Sequence, residues 1–214
     1  WVLGEGKLMR YARVPGSDDG GPPGSWSRET IIQKDSASSR RREDPLRASP
    51  VWTDIAVNLD LPAAAGQPPR QHGTKGALYL GNIGKPGDTA VDTLWWFNGT
   101  DKWFKTGLRT DADGVPAPVT SIVCDPLFPD QVYVGTTVGV WLGIRTQIGN
   151  VDPAWTWHKR LNGLPEAAVH DLAIFNDGQI RLLRAAIAAR GVWELRLDQS
   201  NTADTTYLRC HQDD

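Results

Sequence analysis

Apolar residues in this chain come in short alternating bursts, broken by Gly, Pro, Asn and Asp, with almost no stretch at helical spacing. Such alternation predicts half-buried strands joined by tight turns. Three bursts share an opening: "WTDIAVNLD" from Trp52, "VTSIVCDPL" from Val119 and "VHDLAIFND" from Val169. Each has a small or polar residue at its third place, then Ile or Leu and an alternation, then a polar turn, which predicts the first strand of a unit. A second strand is predicted in "ALYLGNI" from Ala77, "QVYVGTT" from Gln131 and "IRLLRAA" from Ile180. A third is predicted in "TLWWFNG" from Thr93, "GVWLGIR" from Gly139 and "GVWELRL" from Gly191, and a fourth in "KWFKTGL" from Lys102 and "TWHKRLNGL" from Thr156. The last unit is expected to end with "TTYLRCH" from Thr205.

The N-terminal stretch fits a unit entered partway (residues 1–29). "WVLGEGKLMRYARV" supplies two strands around Gly4-Glu5-Gly6, and "GSWSRE" supplies a Trp-bearing fourth. The remaining units span 51–108, 119–161 and 169–210. Polar, charge-rich Thr30–Pro50 reads as an exposed loop, with Arg40-Arg41-Arg42 a solvated face beside Glu43 and Asp44. Leu61–Gly76 is a second irregular insertion. "RLLRAAIAAR", Arg181 to Arg190, is rich in helix formers. It lies where the other units place a second strand, so the repeat register predicts a strand.

Recurring four-stranded antiparallel units of about 45–50 residues with an outer Trp are the pattern of β-propeller blades, each too thin to bury both faces alone. The expected fold is therefore all-β: a propeller segment of about three and a half to four blades, closed by further units, another copy or a partner. Ten Trp, 22 Gly and 15 Pro among 214 residues suit short strands, tight turns and small aromatic cores better than a helical bundle.

Charge and cysteines then remove function classes. A net charge of -2 offers no basic footprint for nucleic acid, and no apolar run is long enough for a transmembrane helix. Cys124 and Cys210 could pair or stay free, with free thiols the simpler reading. Without clustered His and Cys, no metal site is expected, and the absence of phosphate-loop or dinucleotide motifs leaves no expected cofactor. The chain opens on Trp1 with no charged-then-apolar leader, the expectation for the mature part of an exported protein or for an excised piece.

The stretch "VTSIVCDPLFPDQVYVGTTVGVW" resembles the strand-turn-strand phrase of bacterial neuraminidase repeat (Asp-box) propellers, in their sortilin-like and xyloglucanase-like branch. Ile122, Asp125, Pro126, Pro129, Tyr133, Gly135 and Thr136 occupy the phrase. The closing Ala-Ala-Thr-x-Gly-Arg-Gly phrase is matched by Ala185, Ala186, Arg190 and Gly191, followed by Trp193, with Ile187 in place of Thr and Ala189 in place of Gly. "NVDPAWTW" is similar to a degenerate Asp box that keeps Asp152, Thr156 and Trp157, and "NGTDKW" from Asn98 is a weaker echo. In such a box the Asp is expected to accept backbone N–H bonds while the Trp plugs the blade edge.

The resemblance implies a fold shared by hydrolases, lectins, receptors and assembly factors, and a secreted or cell-surface location. Hydrolases of the xyloglucanase-like type use paired Asp residues as general acid and base, so the candidates are Asp54 and Asp171 in equivalent first-strand places, with Asp111 and Asp113 on a loop. Ser121 holds the equivalent place in the middle unit and His170 adjoins Asp171, making both candidate ligand contacts. The simpler reading is a channel lined with polar residues for solvation. Strict alternation would send His170 and Asp171 to opposite faces. Trp95-Trp96 fits core packing better than sugar stacking, and Asn98-Gly99-Thr100 fits a hairpin turn better than a glycosylation acceptor. The expected function is a non-enzymatic module that binds a protein or glycan through loops at one end of the propeller. The alternatives are a glycoside hydrolase and a structural part of a multi-chain assembly.

Overall fold

The computed structural model describes residues 2–4, 7–13, 26–33, 51–58, 77–84, 92–99, 102–109, 117–146, 152–159 and 163–197. Every regular element among them is a β-strand, as the alternation predicts. Two compact units are present, Trp1–Pro50 and Val51–Asp214.

The first unit holds β1 (Val2–Gly4), β2 (Lys7–Arg13) and β3 (Trp26–Gln33), an antiparallel meander in chain order. β3 corrects one expectation: Thr30–Gln33 belong to the strand and not to the predicted loop. The β-branched run Thr30-Ile31-Ile32 favours extended backbone. Residues 34–50, including the three consecutive arginines, lie outside the described residues.

The second unit is three antiparallel meanders. The first sheet is β4 (Trp52–Asn58), β5 (Ala77–Asn82), β6 (Leu94–Phe97) and β7 (Trp103–Lys105). The middle sheet is β8 (Val119–Cys124), β9 (Gln131–Thr136), β10 (Gly139–Thr146) and β11 (Ala154–Lys159). The last sheet is β12 (Val169–Asn176), β13 (Arg181–Ile187) and β14 (Gly191–Arg196). The fourth strand expected for it, from Thr205, lies outside the described residues, as do the insertion 61–76 and Cys210. The helix-rich "RLLRAAI" is a strand because alternate residues Leu183, Ala185 and Ile187 are buried against the middle sheet. Tertiary packing overrides local propensity there.

Successive sheets pack face against face, with β8 lying against β4 on one side and β12 on the other. Tyr79, Leu94 and Trp96 of the first sheet meet Val119, Ile122, Val132, Val134 and Trp141 of the middle one. Tyr133, Val140 and Leu142 of the middle sheet meet Val169, Leu172, Leu183 and Leu195 of the last. Both interfaces use the same small-into-large fit. A Cβ on Gly81 would lie 2.5 Å from Val119 Cγ1, and one on Gly135 would lie 2.7 Å from Val169 Cγ1. β5 and β9 therefore need glycine where the next sheet's first valine enters. Trp95 and Trp96 are both buried, as their core reading requires. Asn98-Gly99 forms a turn, with Gly99 at φ 80° and Asn98 Oδ1 accepting the Lys102 N–H at 3.0 Å.

The fourth strand is held by aromatic packing. The Trp157 ring lies over Gly143, where a Cβ would approach it to 2.5 Å, and its Nε1 donates to Thr106 O at 2.9 Å on the neighbouring sheet. Gly143→Ala is expected to cost about 1–2 kcal/mol, because the indole cannot withdraw without losing that bond. Urea unfolding of the variant beside wild type measures it.

Candidate functional site

The candidate residues on the first strands sit at a structural irregularity that recurs in every sheet of the second unit. Pairing between first and second strands shifts between Trp52 and Asp54, between Val119 and Ser121, and between Val169 and Asp171. Thr53, Thr120 and His170 are the extra residues of these β-bulges. A bulge removes one residue from the ladder and leaves nearby backbone groups open to other partners.

Those groups are used between sheets. Asp54 Oδ2 accepts the Ile122 N–H of the middle sheet at 2.6 Å, while its Oδ1 accepts the Ile55 N–H at 2.8 Å. One step on, Ser121 Oγ accepts the Leu172 N–H of the last sheet at 3.1 Å and donates to Asp171 Oδ1 at 3.2 Å. Asp171 Oδ1 also accepts its own neighbour's N–H, from Leu172, at 2.9 Å. The structure thus brings Asp54, Ser121 and Asp171 together as successive members of one latch. In it Asp54 and Ser121 bind the backbone of the next sheet, and Asp171 receives the Ser121 hydroxyl. Both Asp54 oxygens are engaged by backbone amides, a geometry that fixes the carboxylate at the sheet junction.

His170 and Asp171 are both exposed, and no hydrogen bond joins them among the described residues. Strict alternation does not govern this pair, because the bulge falls between Val169 and Asp171. Asp111 and Asp113 lie outside the described residues.

A second inter-sheet link joins the turns at the far end of the first strands. Asp125 is buried; its Oδ1 accepts the N–H groups of Leu127 at 2.9 Å and Phe128 at 3.2 Å. Its Oδ2 pairs with Arg181 Nη2 of the last sheet at 2.5 Å, and that guanidinium stacks 5.0 Å from the centre of the Phe128 ring. The turn is held by these bonds, and it presents Leu127 and Phe128 at 45% and 48% exposure, while Ile180, beside Arg181 in the chain, is 37% exposed. Sequence reasoning missed this cluster; its only signal was Asp-Pro at a strand end followed by two large apolar residues.

The Asp-box stretch behaves otherwise than expected in one respect. Asp152 is exposed and pairs with Lys102 Nζ at 2.7 Å, with no backbone N–H bonded to it among the described residues. The turn that a box Asp would cap is altered here by Pro153 and by Ala154 in place of glycine, and β11 begins at Ala154. Trp157 plugs the strand edge as described above.

Cys124 is a free thiol, and burial first, then the nearby carboxylates of Asp125 and Asp54, push its pKa up to about 12. A thiol held this high carries little thiolate at neutral pH. In a Cys210→Ser background, a thiol reagent at pH 8 is expected to label the native protein far more slowly than the urea-unfolded one. Among the described residues no group of three or more His, Cys, Asp or Glu could hold a metal ion. No helix among them is long and apolar enough to cross a membrane. Comparison with family models, with curated proteins and with solved structures finds no match to this chain.

Proposed function

We propose that this chain is a non-catalytic β-propeller segment of the Asp-box type that binds a protein or glycan through the turns at one end of its stacked sheets. One observation carries the reading: Asp54 and Ser121 are spent on hydrogen bonds to the backbone of the next sheet, whereas the exposed apolar side chains Leu127, Phe128 and Ile180 stand on turns fixed by Asp125 and Arg181. Exposed side chains on a rigid frame are a common basis of recognition. The recurring sheets and their repeated latch support the propeller part of the reading.

Binding to an immobilised glycan panel and to candidate protein ligands is the test, with wild type beside a Leu127→Ser/Phe128→Ser double variant of unchanged melting temperature. Binding that the double variant loses is the expected result. Hydrolysis of a glucan by wild type, abolished in Asp171→Ala with the fold intact, would overturn it in favour of a glycoside hydrolase.

A further inference from the structure

The two turns that carry the exposed apolar side chains also carry charge, and what reaches water is of one sign. The β8–β9 turn runs Asp125-Pro126-Leu127-Phe128-Pro129-Asp130, and the β12–β13 turn runs Asp177-Gly178-Gln179-Ile180. Neither contains a basic residue. Asp130 is 47% exposed, and Asp177 is exposed as well. The cations that reach these turns from the strands are withdrawn from solvent. Arg181, at 11% exposure, is spent on Asp125, and Arg145, at 4%, is spent on Asp130 Oδ1 at 2.6 Å. Three carboxylates, Asp125, Asp130 and Asp177, thus face two guanidiniums, Arg181 and Arg145, and the accessible groups are acids.

Neighbouring charges leave that balance as it is. Asp152, before β11 at the same end of the middle sheet, is matched by Lys102 at 2.7 Å. On the last sheet the exposed Phe175 ring has the Arg184 guanidinium 4.6 Å from its centre, and Arg184 Nε bonds Glu194 Oε1 across the strands at 2.8 Å.

The apolar side chains narrow the ligand further. A sugar ring needs a flat aromatic face with hydrogen-bonding groups converging beside it. One face of Phe128 is taken by the Arg181 guanidinium at 5.0 Å, and Leu127 and Ile180 are branched and carry no polar side-chain atom. Exposed carboxylates also oppose an anionic partner, whether a nucleic acid, a sulfated glycan or an acidic lipid surface.

We infer that the partner met by these turns is a protein segment whose apolar side chains are flanked by Lys or Arg. The apolar groups cover Leu127, Phe128 and Ile180, and the cations face Asp177 and Asp130. This rests on the recognition proposal and specifies the ligand it leaves open between protein and glycan.

Short peptides from a random displayed library, selected on the full chain, are the probe. The recovered peptides are expected to combine Leu, Ile, Phe or Trp with Lys or Arg. Their affinity should fall at least about tenfold in Leu127→Ser/Phe128→Ser. It should fall about two- to fivefold in Asp177→Asn, which keeps the Oδ1 that accepts the Gln179 and Ile180 N–H groups at 2.9 and 2.7 Å. Both variants are compared with wild type at unchanged melting temperature, and added salt should weaken wild type more than Asp177→Asn. Peptides that need Leu127 and Phe128 but lack basic residues, or that bind Asp177→Asn as tightly as wild type, overturn the inference and leave the recognition proposal standing. A glycan that needs the two side chains, where no peptide does, has the same consequence. If neither peptide nor glycan binding depends on them, both proposals fall.

Discussion

Asp125→Ala is expected to destabilise the second unit by about 3–5 kcal/mol, the cost of leaving one partner of a buried ion pair unmatched. Arg181 is only 11% exposed and its charge would lose the Asp125 carboxylate, while the Leu127 and Phe128 amides would lose their acceptor. Arg181→Met should cost less, because Asp125 keeps both amide bonds and the methionine stem still packs on Phe128. Urea unfolding of the two single variants and the double variant closes a cycle whose coupling should be clearly favourable. Additive effects would show that the pair is incidental.

Asp54→Ala is expected to cost about 2–3 kcal/mol, because the Ile122 and Ile55 amides both lose a charged acceptor and the first is buried between sheets. Asp54→Asn retains one carbonyl oxygen and should recover part of that loss. Hydrogen exchange at Ile122 distinguishes a local effect from a global one: it should quicken in Asp54→Ala at urea concentrations too low to unfold the unit. An unaltered exchange rate at Ile122 would remove Asp54 from the sheet junction.

The strands were legible because their sequences alternate and recur in the same order. "ALYLGNI", "QVYVGTT" and "IRLLRAA" announce one element in three sequences, so Arg181–Ile187 could be read as a strand against its own helix propensity. The repeated third position also singled out Asp54, Ser121 and Asp171 as equivalent. Their use was not legible. Nothing in "WTDIA", "VTSIV" or "VHDLA" marks a bulge, because a bulge is a property of pairing between two strands and neither strand encodes it alone. Without it, an acid at the third position reads as a residue facing a water-filled channel, while in the structure Asp54 reaches sideways to the next sheet. The Arg184–Glu194 pair was hidden for the same reason, since ten residues of sequence separate partners that only the register makes adjacent. Asp152 shows the opposite error: a motif letter was kept while Pro153 and Ala154 had already changed the turn that gave the letter its purpose.

The recurrent bulge bears on how such a chain can lengthen or shorten. Each sheet carries both halves of its own fastener, an acceptor at the third residue and a released amide at the fourth, so a duplicated stretch of gene would encode a part that already fits its neighbours. Loss of a whole unit should accordingly be better tolerated than a one-residue deletion inside Thr53, Thr120 or His170, which would restore regular pairing and leave two neighbouring layers with nothing to clasp.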